Sequence, residues 1–231
     1  MTAPVDSPAA PPMRWRWYHG LAFYLAQNAV GYILGELVSQ ARGTPGRSRP
    51  SSFGPYFKSL RNARFAPPSE AFLPVWAVNN ASAIYGLLRA LNRPRGTRGR
   101  DEFLTLQALS WLDLVIWNAA YFAVRSPIHG LVLTVLLLVF TIASVWVAAF
   151  RLRDSQVALS LATLFIWLTL ASPVAFFQML WNRDDLYGVG PFANPDPRFL
   201  RRGAGREDGR NGQAAPGVHG SGSADTAATG A

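Results

Sequence analysis

Five stretches of the chain are long, apolar and poor in charge, and arginine-rich segments separate them. They run His19 to Val38, Ala71 to Leu91, Phe103 to Val124, Ile128 to Phe150 and Val157 to Trp181. Each is long enough to cross a hydrocarbon core, which takes roughly 20 apolar residues in a helix. Polar positions inside them recur at helical spacing. Trp76, Asn79, Asn80 and Ala83 fall at i, i+3, i+4 and i+7 and so share one face. Side-chain amides are costly against lipid, so that face should turn inward. The pattern predicts an all-α fold, an integral membrane bundle of five transmembrane helices. The fourth stretch is the most apolar; the first is the least, holding Gln27, Asn28 and Glu36. Pro173 removes a helical donor in the fifth and predicts an interruption there.

The connections differ in kind. Residues 1–18 read as a disordered Ala/Pro-rich arm, Met1 to Pro12, followed by Arg14, Trp15, Arg16, Trp17 and Tyr18, whose mix of cations and aromatics suits the headgroup level. The arm lacks a basic start joined to an apolar core and cleavage site, so it does not read as a signal peptide. Ser39 to Glu70 is a long connector whose second half, Phe53 to Phe65, predicts a short interfacial helix. Arg125, Ser126 and Pro127 make a tight turn, so the third and fourth helices should be antiparallel neighbours. The five-helix domain is bounded at 19–182. Residues 183–231, most plainly Arg198 to Ala231, are expected to form a largely disordered tail.

Composition sharpens this picture. Only 15% of the 231 residues are charged, and there are eight Trp. The formal charge of +9 is carried by Arg, with Lys58 the single lysine. Because these cations flank apolar runs, they read as membrane loops and exclude nucleic acid as the partner; the lipid bilayer is the partner instead. The two sides are nearly balanced in Lys and Arg, so orientation is only weakly determined by charge. The absence of cysteine excludes disulfides and thiolate chemistry. Three scattered His give no metal site. Gly31 and Gly35 allow close helix approach, within the chain or across a homodimer.

Phe65 to Asn92 carries a resemblance. PPSEAFLPVW is similar to the signature PPxWxFxxxW of the TspO/MBR family, with Pro67, Pro68, Phe72 and Trp76 in place. Glu70 replaces the inner Trp, and Asn80 stands where the family has Tyr. Trp117 with Tyr121, Phe122 and Ala123 resembles the third-helix pattern, although Leu114 replaces an Asn. Trp146 precedes the Leu-Asp turn, here Leu152 to Asp154. Trp167 and Ala171 match the fifth helix, while Thr163, Leu164 and Ala175 depart from it. The resemblance covers about residues 19–182 and marks a divergent member, expected in a bacterial cell membrane. It implies a pocket lined by Trp76, Trp117, Trp146 and Trp167, with the long connector as its cover. The lean to a cytoplasmic carboxy terminus also comes from this family resemblance. The implied ligand is a hydrophobic small molecule, a tetrapyrrole such as porphyrin or haem, or a sterol. No cofactor is required.

From the residues alone, the Trp set reads equally as core packing and interface anchoring. An aromatic cleft with few polar groups suits a large flat ligand. Asp113 is the acidic residue deepest in a span and should face protein. It reads either as a neutral clamp bonded to Asn79, Asn80 or Asn118, or as a pocket group reading a polar substituent. Phe72, Trp76, Asn79, Asn80, Asp113, Trp117, Trp146, Trp167 and Ala171 are the candidate ligand-binding residues. Nothing in the chain resembles a Ser-His-Asp or paired-carboxylate constellation. A receptor or sensor is therefore the leading expectation. Light- and oxygen-dependent porphyrin breakdown and small-molecule transport are the alternatives.

Overall fold

The computed structural model describes residues 14–47 and 49–201. The Met1 to Pro12 arm and the tail beyond Arg201 lie outside the described residues. Five helical spans form the molecule: Trp17–Ala41, Ser69–Leu91, Arg100–Ala123, Pro127–Arg151 and Ser155–Trp181, each long and apolar enough to cross a membrane. We label the helices α1 (Trp17–Ala41), α2 (Pro50–Ser59), α3 (Phe72–Leu91), α4 (Arg100–Asn118), α5 (Pro127–Trp146), α6 (Ser155–Leu159) and α7 (Ala162–Trp181). The most extensive packing joins α5 to α7 and α4 to α5. The first span is the least buried. It packs through glycines. A Cβ at Gly20 would stand 2.5 Å from Ile84 of α3, and Gly31 faces Val115 and Asn118 of α4. Gly31 therefore serves packing within the chain.

The fourth and fifth spans begin by the same device. Helices α4 and α5 each run on into a π-helical turn, Ala119–Ala123 and Val147–Arg151. A left-handed arginine stops each one, Arg125 at φ 57 and Arg153 at φ 52. A side chain then caps the next helix. Ser126 accepts from the His129 amide, and Asp154 accepts from Gln156 and Val157. Asp154 is buried and also binds the guanidinium groups of Arg89, at 2.8 and 2.9 Å, and Arg93. Burial alone would raise its carboxyl. The hydrogen bonds from Arg93 and Arg89 outweigh that and hold it below the usual carboxylate range.

The fifth span breaks at Ser160–Leu161, not at Pro173, which sits inside the continuous helix Ala162–Trp181. The cause is local. Ser82 donates to the Ser160 carbonyl at 2.6 Å, taking that acceptor out of the helical ladder. Ser160 in turn donates to Val157 O at 2.7 Å. Gly86 makes this approach possible, because a Cβ there would lie 2.0 Å from the Ser160 hydroxyl.

Polar contacts sort the connections into two ends. At one end Asn92 exchanges two 2.8 Å bonds with the backbone of Trp15, and Asp154 ties the fourth connection to α3. At the other end lie α2, the Arg125–Pro127 turn and residues 182–201. Five antiparallel crossings require this division. Residues 183–201, assigned to a tail by their composition, are folded. Asp184 is buried and accepts from Ser126 Oγ, Ile128 N, Leu186 N and Tyr187 N. Four donors to one carboxylate order a segment that has few apolar residues of its own.

Candidate ligand-binding cleft

The cleft lies between α3, α4, α5 and α7 and is roofed by the connector. It has two lobes of about 40 Å³ each. Phe72, Trp117, Thr134, Trp167 and Ala171 line both, and Trp76 joins the deeper one. Helical spacing explains the grouping: Phe72 and Trp76 are one turn apart on α3, and Trp167 and Ala171 one turn apart on α7. Phe72 meets Trp167 edge to face, with centroids 5.2 Å apart at 90°. Trp117 stacks on Tyr121 at 4.7 Å and donates its indole N–H to Thr134 Oγ1 at 3.1 Å. A Cβ at Gly130 would press within 2.6 Å of the Tyr121 ring, so that ring fits only because residue 130 is glycine.

The roof comes from the connector. Phe57 and Pro67 close the first lobe, and Phe57 packs on Phe72 at 4.8 Å. Phe53 of α2 stacks on Phe122 at 3.7 Å. Beneath the roof a relay crosses from wall to cover. Tyr121 donates to Gln178 Oε1 at 2.7 Å, and Gln178 Nε2 donates to Asn62 Oδ1 at 2.6 Å. Nearby, Arg125 lies over the Tyr56 ring at 5.1 Å. Burial pushes the Tyr56 hydroxyl well above its ordinary value, Asp185 adds to this, and Arg125 opposes it. None of the lining residues is charged.

Five of the nine candidate residues meet in the cleft: Phe72, Trp76, Trp117, Trp167 and Ala171. The other four do not. Trp146 is 53% exposed on the outside of the bundle, against Phe150. Buried Ser144 fixes the inward face of α5, and two residues on turns the helix by about 200°. Asn79 is buried and Asn80 half-buried, yet neither lines a lobe. Asp113 is also buried away from it, and its expected clamp does not form. Among the described residues, neither carboxylate oxygen of Asp113, nor the Asn79 amide nitrogen, has a partner. Asn118 donates back to Leu114 O. The register explains why. Trp117 bonds to Thr134 and Gln107 to Ser144. Both fix the register of α4 against α5, and with Asp113 so placed its carboxyl bonds to neither α3 amide.

Sequence reasoning missed Thr134, Tyr121 as a wall residue, Gln178 and Phe57. Gln178 carried a usable signal: it is polar, in the last turn of an apolar span, and seven residues from Ala171 on the same face. Phe57 had none, because its place depends on how the long connector folds back.

A five-span integral membrane protein, multi-pass and built around an uncharged aromatic cleft, is the class that this architecture defines. The chain belongs to the TspO/MBR family, whose model matches residues 23–181. It is similar to the tryptophan-rich protein TspO of Chlorobaculum tepidum, at 26% identity over 134 residues, covering 58% of this chain and 82% of that one.

Proposed function

We propose that this protein is a membrane receptor that takes a flat hydrophobic ligand into the cleft, a tetrapyrrole such as porphyrin or haem, or a sterol. The observation that carries the reading is the wall itself. Phe72, Trp117 and Trp167 give three aromatic surfaces with no charge among the lining residues, and Thr134, Tyr121 and Gln178 supply neutral polar groups. No His or Met lines the cleft, and Tyr121 commits its hydroxyl to Gln178, so the macrocycle rather than an iron atom would be recognised. The lobes hold about 40 Å³ each, far less than the roughly 300–1,000 Å³ of ligand pockets in general. Binding therefore requires the roof to move. The bacterial relative favours a bacterial cell membrane as the site of action. No resident cofactor enters this reading.

The test is a titration of the purified protein in lipid nanodiscs with protoporphyrin IX, haemin and cholesterol, read by tryptophan quenching and by competition. Metal-free and iron porphyrin should bind alike, and Trp167→Leu should weaken both at least tenfold. Failure of all three ligands to bind sinks the reading. Product analysis after illumination and tracer uptake into sealed vesicles separate chemistry and transport from binding.

A further inference from the structure

Residues 182–201 lie beyond the stretch that matches the family. They join the turn between α4 and α5, the end of α7 and the connector that roofs the cleft. Their first turn is anchored on the turn between α4 and α5. Asp184 Oδ2 accepts from Ser126 Oγ at 2.6 Å and Ile128 N at 3.1 Å, and Asp185 N donates to Arg125 O at 3.2 Å. Phe192 N and Ala193 N then bond to Leu180 O of α7 at 2.9 and 3.1 Å. The far end pairs with the roof. Arg64 N donates to Phe199 O at 2.7 Å and Arg201 N to Asn62 O at 3.0 Å, around the antiparallel pair Ala63 and Leu200. Arg201 Nη1 reaches Pro67 O at 3.1 Å, and Pro67 lines the first lobe. Asn182 closes the near side, exchanging bonds of 2.8 and 3.1 Å with the Arg61 backbone. Arg47, ahead of α2, pairs with Asp185 at 3.6 Å.

We infer that residues 182–201 are a latch that holds the connector shut over the cleft and sets the rate at which any solute reaches it. The attachment to the roof is almost wholly polar. Backbone pairs and side-chain bonds of this kind open and re-form without exposing a core, unlike the aromatic contacts of α2. The roof residues Asn62 and Pro67 serve both sides: Asn62 accepts from Gln178 in the cleft wall while its carbonyl accepts from Arg201 in the latch. Releasing the latch therefore removes the Arg201 bonds to the Asn62 and Pro67 carbonyls. The inference rests on the proposed function only for the identity of the solute; the mechanical claim concerns access alone.

The chain has no cysteine, so introduced thiols report without background. Ala175→Cys places one thiol in the cleft wall, where a charged water-soluble maleimide should react slowly in the full-length protein in nanodiscs. Adding Arg201→Ala or Asp184→Ala should speed labelling at least fivefold. A second, separate variant ties the latch down. Ala63 and Leu200 form the non-hydrogen-bonded type of antiparallel pair, with Cα atoms about 4.5 Å apart in general, a spacing that a disulfide spans. Ala63→Cys with Leu200→Cys, once oxidised, should slow protoporphyrin IX association at least tenfold, and reductant should restore it. Labelling at the parent rate in both release variants overturns the latch, as do equal association rates before and after reduction. Faster labelling with no porphyrin binding at all leaves the latch standing and removes the tetrapyrrole reading instead.

Discussion

Replacing Asp113 by an apolar residue should stabilise this protein. The carboxyl is buried in the third span, and neither oxygen has a partner among the described residues. A buried polar group without a hydrogen bond costs about 1–3 kcal/mol, because its hydration is lost and nothing replaces it. Insertion scales agree in sign: Asp at a helix centre costs about 2.5–3.5 kcal/mol, whereas Val contributes about −0.3 to −0.6. Asp113→Val is closer in volume than Leu and avoids overpacking, so the gain expected is about 1–3 kcal/mol. Asp113→Asn keeps an unpartnered polar group and should stay within about 1 kcal/mol of the parent. The measurement is reversible unfolding in detergent micelles on titration with a denaturing surfactant. Porphyrin affinity should not change in either variant, since the carboxyl does not line the cleft. A loss of about 1 kcal/mol or more in Asp113→Val would show that the carboxyl has a partner, and the argument from its isolation would be wrong.

Ala171→Leu puts three further carbons where the two lobes meet; porphyrin affinity by tryptophan quenching should fall at least tenfold, about 1.4 kcal/mol, with little change in unfolding. Asp154→Asn should cost about 1–3 kcal/mol, because Arg89 and Arg93 lose the shared negative charge and one of the two oxygens that accept from them. The Asp154 carboxyl is lowered in the folded state, so its contribution is complete above the ordinary value of about 3.9 and is lost as pH falls through the lowered one. Acid unfolding curves of parent and Asp154→Asn should accordingly converge at low pH and separate above it; parallel curves contradict the assignment. Reporter fusions at Pro12 and Gly203 should show opposite accessibility across the membrane, and matching accessibility sinks the five-span topology.

The five spans were legible in the sequence because length and hydropathy decide whether a helix can cross a bilayer, and both are local. Trp76, Trp117, Trp167, Phe72 and Ala171 were legible through the family motifs. Trp146 belonged to the same motifs and still points outward, because a motif fixes a position in the chain but not the rotation of its helix. Asp113 failed for a related reason: Asn79 and Asn80 lie on another helix, α3, and Asn118 turns its amide back to Leu114 on its own helix. Residues 183–201 were illegible on other grounds. Their order comes from Asp184 and a few backbone pairs with a distant connector, and composition averages such isolated contacts away.

The small volume of the cleft has a consequence in terms of populations. A protein whose cleft holds about 40 Å³ in each lobe is, as it stands, in a state that excludes its proposed ligand. Only the fraction of molecules with the roof displaced is competent, and the observed dissociation constant is the intrinsic one divided by that fraction. If about one molecule in a hundred is open, tight intrinsic contact with Phe72, Trp117 and Trp167 is observed as binding about a hundredfold weaker. Sequence changes far from the cleft can then tune sensitivity by shifting that fraction, with every wall residue left untouched.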